Sequence, residues 1–444
     1  MIKSLRLAVA LLFLVVFHSL CAAQDQSDEN QYLGYWSASL RSPGGPICFG
    51  LELTKSKEGE LVGYLINHKE RIEIPKVLVD KDGLTLDMDH YDSKITAKLT
   101  KESKDLTDLE KKRMNVEALA AGKAKTKSAF LTGEWTKRRG KDKWARMNFN
   151  ASLSDPKLIP ATSDVSKFVG RWSANFSESD DPAVASFTSD GKTFYGTFMT
   201  TTGDYRYLAG AGTEDRTAWL SCFDGAHAFL FAMKPEKDGT ISGDFWSSNT
   251  WHETWTAVKD PRAVLPDAFK QTKLGSGKLG DFKFPNLEGV ETSINDPAFV
   301  GKPRLIYVFG TWCPNCHDAA IYFSGLQKEY GDKLSILGLA FELTGDHERD
   351  ADQVKKYLKR HSCDYPVLIA GVADKKLAAK SFPLLDKIRS YPTTIFVDHK
   401  GEVKAIHTGF AGPATGVAYE KQCAKFEELI DEMIDDRSDR QSPR

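Results

Sequence analysis

Over the first 260 positions, apolar and polar residues alternate in short runs broken by Gly and Asp. Leu61-Val62-Gly63-Tyr64-Leu65-Ile66 and Thr193-Phe194-Tyr195-Gly196-Thr197-Phe198 are examples. A period of two with frequent turn residues predicts antiparallel strands. The pattern is used twice. Gly34-Tyr35-Trp36 opens one copy and Gly170-Arg171-Trp172 the other. Gly133-Glu134-Trp135 followed by Trp144 matches Gly243-Asp244-Phe245-Trp246 followed by Trp255. Two small barrels or sandwiches are expected, over 31–150 and 168–260. Residues 103–128 interrupt the first with a lysine-rich helical insertion. From 281 the pattern changes to strands at 305–309, 334–341 and 366–370 alternating with helices at 313–330 and 350–361. A hairpin of 393–397 and 403–407 and a helix at 419–434 follow, before a polar tail at 435–444. Crossover helices followed by a hairpin predict an α/β domain with a central mixed sheet over 281–434.

Two linkers separate these parts: 154–166, with Pro156 and Pro160, and 261–280, with Pro261, Pro266 and a Gly-Ser-Gly run. The net charge of −1 over 444 residues gives no global electrostatic case for nucleic acid. Acidic residues interleaved in the lysine-rich segments make them a solvated face. Lys3, Arg6, the apolar run 7–17 and Cys21-Ala22-Ala23 read as a signal peptide over 1–23, so the chain is expected to be exported. An uncleaved signal would leave it anchored to the membrane. Cys48, Cys222, Cys313, Cys316, Cys363 and Cys423 would remain, too few for a disulfide scaffold. Whether Cys48 pairs with Cys222, or Cys363 with Cys423, is left open. The tryptophans crowded into the β region read as core, with a small ligand inside a barrel as the lesser alternative. No His/Cys/Asp cluster has zinc spacing, so no metal is expected.

The chemistry concentrates at Trp312-Cys313-Pro314-Asn315-Cys316. It follows the apolar run Leu305-Ile306-Tyr307-Val308-Phe309 and opens a helix. Two cysteines three positions apart on a first helical turn can close a disulfide with little backbone movement. The free N–H groups and the dipole at that end favour a thiolate, which is the attacking species. His317 makes the string also read Cys-x-x-Cys-His, a pattern of c-type haem attachment.

Four segments occur in order: Phe284-Pro285-Asn286-Leu287-Glu288-Gly289, Gly301-Lys302-Pro303, Gly310-Thr311-Trp312-Cys313-Pro314-Asn315-Cys316, and Tyr391-Pro392-Thr393-Thr394-Ile395-Phe396-Val397-Asp398. With them the last third of the chain resembles the TlpA/ResA-like thiol–disulfide oxidoreductases of the thioredoxin superfamily. The resemblance implies a thioredoxin-like fold there and no cofactor beyond the redox-active disulfide of Cys313 and Cys316. It makes Cys313 an exposed nucleophile and Cys316 the resolving thiol. Pro392 would be a cis-proline, leaving the Tyr391 backbone free to pair with a substrate strand. Trp312 and Pro314 would flank the dithiol. Tyr307 stands where thioredoxin has a buried Asp. Glu342 fits the family's Glu after the next strand and would relay the proton of Cys316. Disulfide-bearing proteins of the periplasm or cell envelope would be substrates, and a membrane thiol donor would reset the enzyme.

Three readings compete. Covalent haem at Cys313, Cys316 and His317 would need an open loop, not a strand-to-helix turn. A peroxiredoxin would carry Pro-x-x-x-Thr-x-x-Cys, whereas Gly310 stands three residues before Cys313. A cell-envelope binding module with a vestigial dithiol would leave Cys313 inert. The glycine-rich run 408–416 lacks a P-loop ending and reads as a tight connection to the last helix.

Overall fold

The computed structural model describes residues 29–101, 107–113, 129–154, 164–191, 193–213 and 215–441. The expected signal segment, most of the helical insertion and most of the first linker lie outside them. No described helix is long and apolar enough to cross a membrane.

The alternation in the first copy folds as nine antiparallel strands. Gly34–Ser42 lies between Gly45–Lys55 and Trp144–Ser154. The two end strands, Glu70–Ile74 and Lys76–Asp80, are separated by Pro75 alone, and the sheet curls into a nearly closed barrel. Trp36, Leu40, Leu51, Leu65, Trp135 and Phe149 fill it. Of the insertion, Asp108–Arg113 is helical. Its Glu110 is fully buried and accepts hydrogen bonds from Arg41, Asn150 and Thr107.

In the second copy Ala183–Ser189 pairs with both Gly170–Phe176 and Phe194–Thr200, which closes the barrel. Closure pairs the longer strands on both sides, and among the described residues only the two-residue strand Gly203–Asp204 has a single partner. Trp172, Phe198, Phe231, Phe245 and Trp255 pack inside. The two copies share a detail of their opening strands. The Trp36 indole donates to the Tyr32 carbonyl at 2.8 Å, and Trp172 donates to the Phe168 carbonyl at 2.8 Å. The expected match of Trp144 with Trp255 does not hold. Trp144 and Trp251 each begin the last strand of their barrel and are exposed, whereas Trp255 is buried opposite Gly243, as Phe149 is opposite Gly133.

The barrels are joined end to end. The turn Asp224-Gly225-Ala226-His227 of the second enters the mouth of the first. There the Gly225 carbonyl accepts from Ser93 Oγ at 2.5 Å and the Ala226 carbonyl from the buried Lys137 at 3.0 Å. A Cβ on Gly225 would sit 2.9 Å from Met88 Sδ, so a residue without a side chain is needed at this contact. Phe223 of the second barrel packs on Phe49 and Trp135 of the first.

The last domain is thioredoxin-like. Its five-stranded sheet is ordered Val367–Val372, Ser335–Glu342, Arg304–Phe309, Thr393–Val397, Val403–Thr408; the first three are parallel and the rest antiparallel. The strand Arg304–Phe309 is buried at every residue, as a central parallel strand covered on both faces should be. Helix Pro314–Tyr330 follows it, and His347–His361 follows the second strand. The latter begins three residues before the predicted 350 because Asp346 caps it, accepting from the Arg349 N–H. A short helix, Lys375–Ser381, was not predicted; Asp374 caps it with bonds from two backbone N–H groups. The final helix spans Val417–Gln441, so most of the expected tail at 435–444 is helical. The expected linker at 261–280 is strapped to this domain. Gly275 and Gly277 donate to the carbonyls of Leu384 and Pro383, and Thr272 bonds to Thr408 at 2.7 Å.

Candidate active site

The strand Arg304–Phe309 delivers the chain to the dithiol at the carboxyl end of the sheet. Cys313 caps the helix and Pro314 takes its first position, where a missing N–H costs nothing. Cys316 lies one turn further in and is fully buried. Burial pushes its thiol well above the ordinary range, and the neighbouring Cys313 adds to the rise. All six cysteines of the described residues are free, including Cys48, Cys222, Cys363 and Cys423.

The Tyr391–Pro392 peptide bond is cis. The Cys313 thiol donates to the Tyr391 carbonyl at 3.2 Å, and Ser390 Oγ donates to the same carbonyl. Trp312 is half-buried; its indole donates to the Phe341 carbonyl at 2.9 Å and its rings stand edge-on to Tyr391. Pro314 is buried.

Glu342 ends the second strand, fully buried, with its carboxyl pushed up to about 8 by burial. Its oxygens accept from Thr311, from the N–H at 2.8 Å and from Oγ1 at 2.7 Å. It therefore holds the loop that enters the dithiol. Tyr307, in the position of the thioredoxin Asp, donates to the Cys316 carbonyl at 2.7 Å, and Tyr357 donates to it at 2.6 Å. Two hydroxyls on one carbonyl fix the first turn of the helix from below.

Against this geometry the comparisons fall on the last third of the chain. Residues 277–406 match the AhpC/TSA family. The thioredoxin-like protein YneN of Bacillus subtilis is 33% identical over 129 residues, 29% of this chain and 68% of that protein. The chain belongs to this thioredoxin-like family. The thiol:disulfide interchange protein DsbE of Haemophilus influenzae is 32% identical over 28% of this chain and 58% of its own length. The thiol-disulfide oxidoreductase ResA of Halalkalibacterium halodurans is 25% identical over 29% and 65%. The chain thus spans less than two thirds of these last two relatives. The match places the C-terminal domain in the same family as these thiol–disulfide oxidoreductases. Both barrels lie outside the matched residues.

Three features of the site were not legible in the motif. First, His317 is not available as a ligand. Its Nε2 is 2.7 Å from the Thr311 carbonyl and its Nδ1 is 2.6 Å from His361 Nε2. With Nε2 protonated to meet a carbonyl, Nδ1 accepts from His361, so both ring nitrogens are engaged. Burial holds both imidazoles far below their ordinary pKa, His361 at about 3. Second, His90 and Tyr91 of the first barrel pack against the His317 ring. Third, Cys313 is only 5% exposed, not the open nucleophile the resemblance implies. The turn at 201–206 of the second barrel lies against its neighbours Asn315 and Ser390.

Proposed function

We propose that the chain is an exported oxidoreductase that reduces or exchanges protein disulfides through Cys313 and Cys316. The observation that carries this is the Cys313 thiol at a helix N-terminus, 3.2 Å from the Tyr391 carbonyl and backed by the buried Cys316. The Cys313 thiolate attacks one sulfur of a substrate disulfide and forms a mixed disulfide; the other substrate sulfur leaves and takes a proton. Cys316 then loses its proton and attacks Cys313 Sγ. The second substrate thiol is released, and Cys313 and Cys316 are left as a disulfide. Two electrons have passed to the substrate, and a membrane dithiol donor returns them.

The raised pKa of Cys316 makes its deprotonation the step that needs help. Glu342, at about 8, can exchange a proton near neutral pH and holds Thr311 beside the motif. Trp312, Pro314 and Tyr391 form the face on which a substrate segment would lie. The segment 1–23 supports export, and envelope proteins with disulfides are the corresponding substrates. Cys313→Ser is expected to abolish insulin reduction, and Cys316→Ser to accumulate mixed-disulfide adducts that dithiothreitol dissolves. Absence of adducts from the Cys316→Ser protein in its own compartment would rule the mechanism out.

A further inference from the structure

In the dithiol reading, a substrate backbone would lie along the Tyr391–Pro392 segment. In this chain that groove already has an occupant. We propose that the turn 201–206 of the second barrel is seated in it as an intramolecular plug. Thr202, Gly203 and Asp204 then decide which disulfides reach Cys313.

The turn follows the strand Phe194–Thr200 and meets the active-site loops at three successive residues. The Thr202 carbonyl accepts from Ser390 Oγ at 2.8 Å, one residue before Tyr391. Gly203 lies on Asn315, between the two cysteines; a Cβ at Gly203 would be 2.5 Å from Asn315 Oδ1. Asp204 accepts from Asn315 Nδ2 at 3.2 Å and from the Gly412 N–H at 2.6 Å. The thioredoxin-like side answers with glycines of its own. A Cβ at Gly409 would be 2.9 Å from the Thr202 carbonyl, and one at Gly412 would be 2.9 Å from Asp204 Oδ2. Gly409 thus lets backbone approach backbone at Thr202, while Gly203 and Gly412 make room for the side chains of Asn315 and Asp204 along the same seam. Asp204, Asn315 and Ser390 are buried in it.

Arg206 pins the plug. It is a non-glycine residue at φ +59°, a conformation that needs support from its surroundings. Its guanidinium meets Glu70 of the first barrel at 2.5 Å, Asp224 of its own barrel at 3.5 Å and Asp318 of the dithiol helix at 3.0 Å. One buried cation therefore ties all three modules together. Such a cluster is weak evidence of stability, but removing its cation leaves three carboxylates facing one another. With the plug seated, an extended protein segment cannot lie beside Tyr391; with the barrel lifted, it can.

The test uses the full chain. In a Cys316→Ser background, the rate at which iodoacetamide labels Cys313 is followed by peptide mass spectrometry. Insulin reduction is measured in the otherwise intact enzyme with dithiothreitol as donor. Arg206→Gln is expected to raise both rates at least ten-fold. Asp204→Ala removes three hydrogen bonds, one of them from the Arg206 N–H, but none of the three Arg206 ion pairs, and should raise both by a smaller factor; circular dichroism confirms that each variant is folded. If Cys313 in the parent protein is labelled as fast as in both folded variants, there is no plug. If the variants unmask Cys313 but still leave insulin untouched, the plug stands and the disulfide-reductase reading on which it rests fails.

Discussion

The two barrels and the thioredoxin-like domain solve the same burial problem with opposite consequences at their ends. Each barrel is an antiparallel sheet curled on itself around tryptophan and phenylalanine, and its turns are spent on contacts between modules. The turn at 224–227 enters the mouth of the first barrel, and the turn at 201–206 lies on Asn315 between the two cysteines. The thioredoxin-like sheet is open and partly parallel. Its strands end together at one edge, where Cys313, Glu342 and Pro392 converge from segments nearly 80 residues apart. A closed sheet offers shape, whereas the carboxyl edge of parallel strands offers a place where loops meet. The chemistry sits on the second and its cover on the first.

That contrast can be broken at several points. Trp255→Ala empties the core of the second barrel, where the indole is 1% exposed, and should cost about 3–5 kcal/mol in urea unfolding. If the cover depends on the barrel's shape, labelling of Cys313 should rise in the same variant. Arg304 tests the other domain. It is buried, with its pKa lowered to about 10 by burial, and donates to the Ile294 carbonyl and the Asn295 side chain. Arg304→Ala orphans both acceptors and should cost about 2–4 kcal/mol by the same measurement.

Acidity should act mainly where the first barrel meets the dithiol helix. His90, His317 and His361 meet there, and His227 lies in the adjoining turn. All are neutral when folded, with His90 and His361 at about 3 and His227 at about 4, chiefly through burial. The unfolded chain binds protons at these sites below about 6.5, and the folded chain does not until far lower pH. Their contribution is complete above about 6.5 and falls away as the pH drops. Asp318 and Glu342 work in the other direction. Burial lifts them to about 7 and about 8, so the folded protein holds protons that the unfolded chain loses near 4; that contribution fades as pH rises through 7 to 8. Thermal stability should therefore be greatest near neutrality. A melting temperature that rises steadily from pH 7 to pH 5 would contradict the neutral histidines. The smallest effect is expected from Tyr307→Phe. It removes one of two hydroxyls on the Cys316 carbonyl and should cost about 1 kcal/mol in denaturant unfolding.

The sequence carried the parts of this picture that repeat locally. Alternation of period two showed the barrels, and the apolar run before Cys313 placed the dithiol at a strand-to-helix turn. Three things were out of reach for physical reasons. The helix Lys375–Ser381 is too short and too polar to leave a period. Trp144 and Trp255 look equivalent in sequence, but only pairing across strands shows which tryptophan faces the core. Arg206 is a lone basic residue whose partners are 18, 112 and 136 positions away, each in a different module or turn. Nothing nearby marks it.

One consequence concerns the segment that joins the second barrel to the thioredoxin-like domain. Ala263 still packs with Val184 and Met199 of the barrel, while Phe269 already stands against Phe396, His407 and Phe426. Only the five residues between them are left to span any separation, a reach of roughly 20 Å when fully extended. A barrel on so short a tether cannot diffuse away from the site it has left. Its local concentration there is of millimolar order. A partner of the dithiol therefore competes with a neighbour that always returns, and must either bind strongly enough to hold the barrel aside or finish its exchange between two closings.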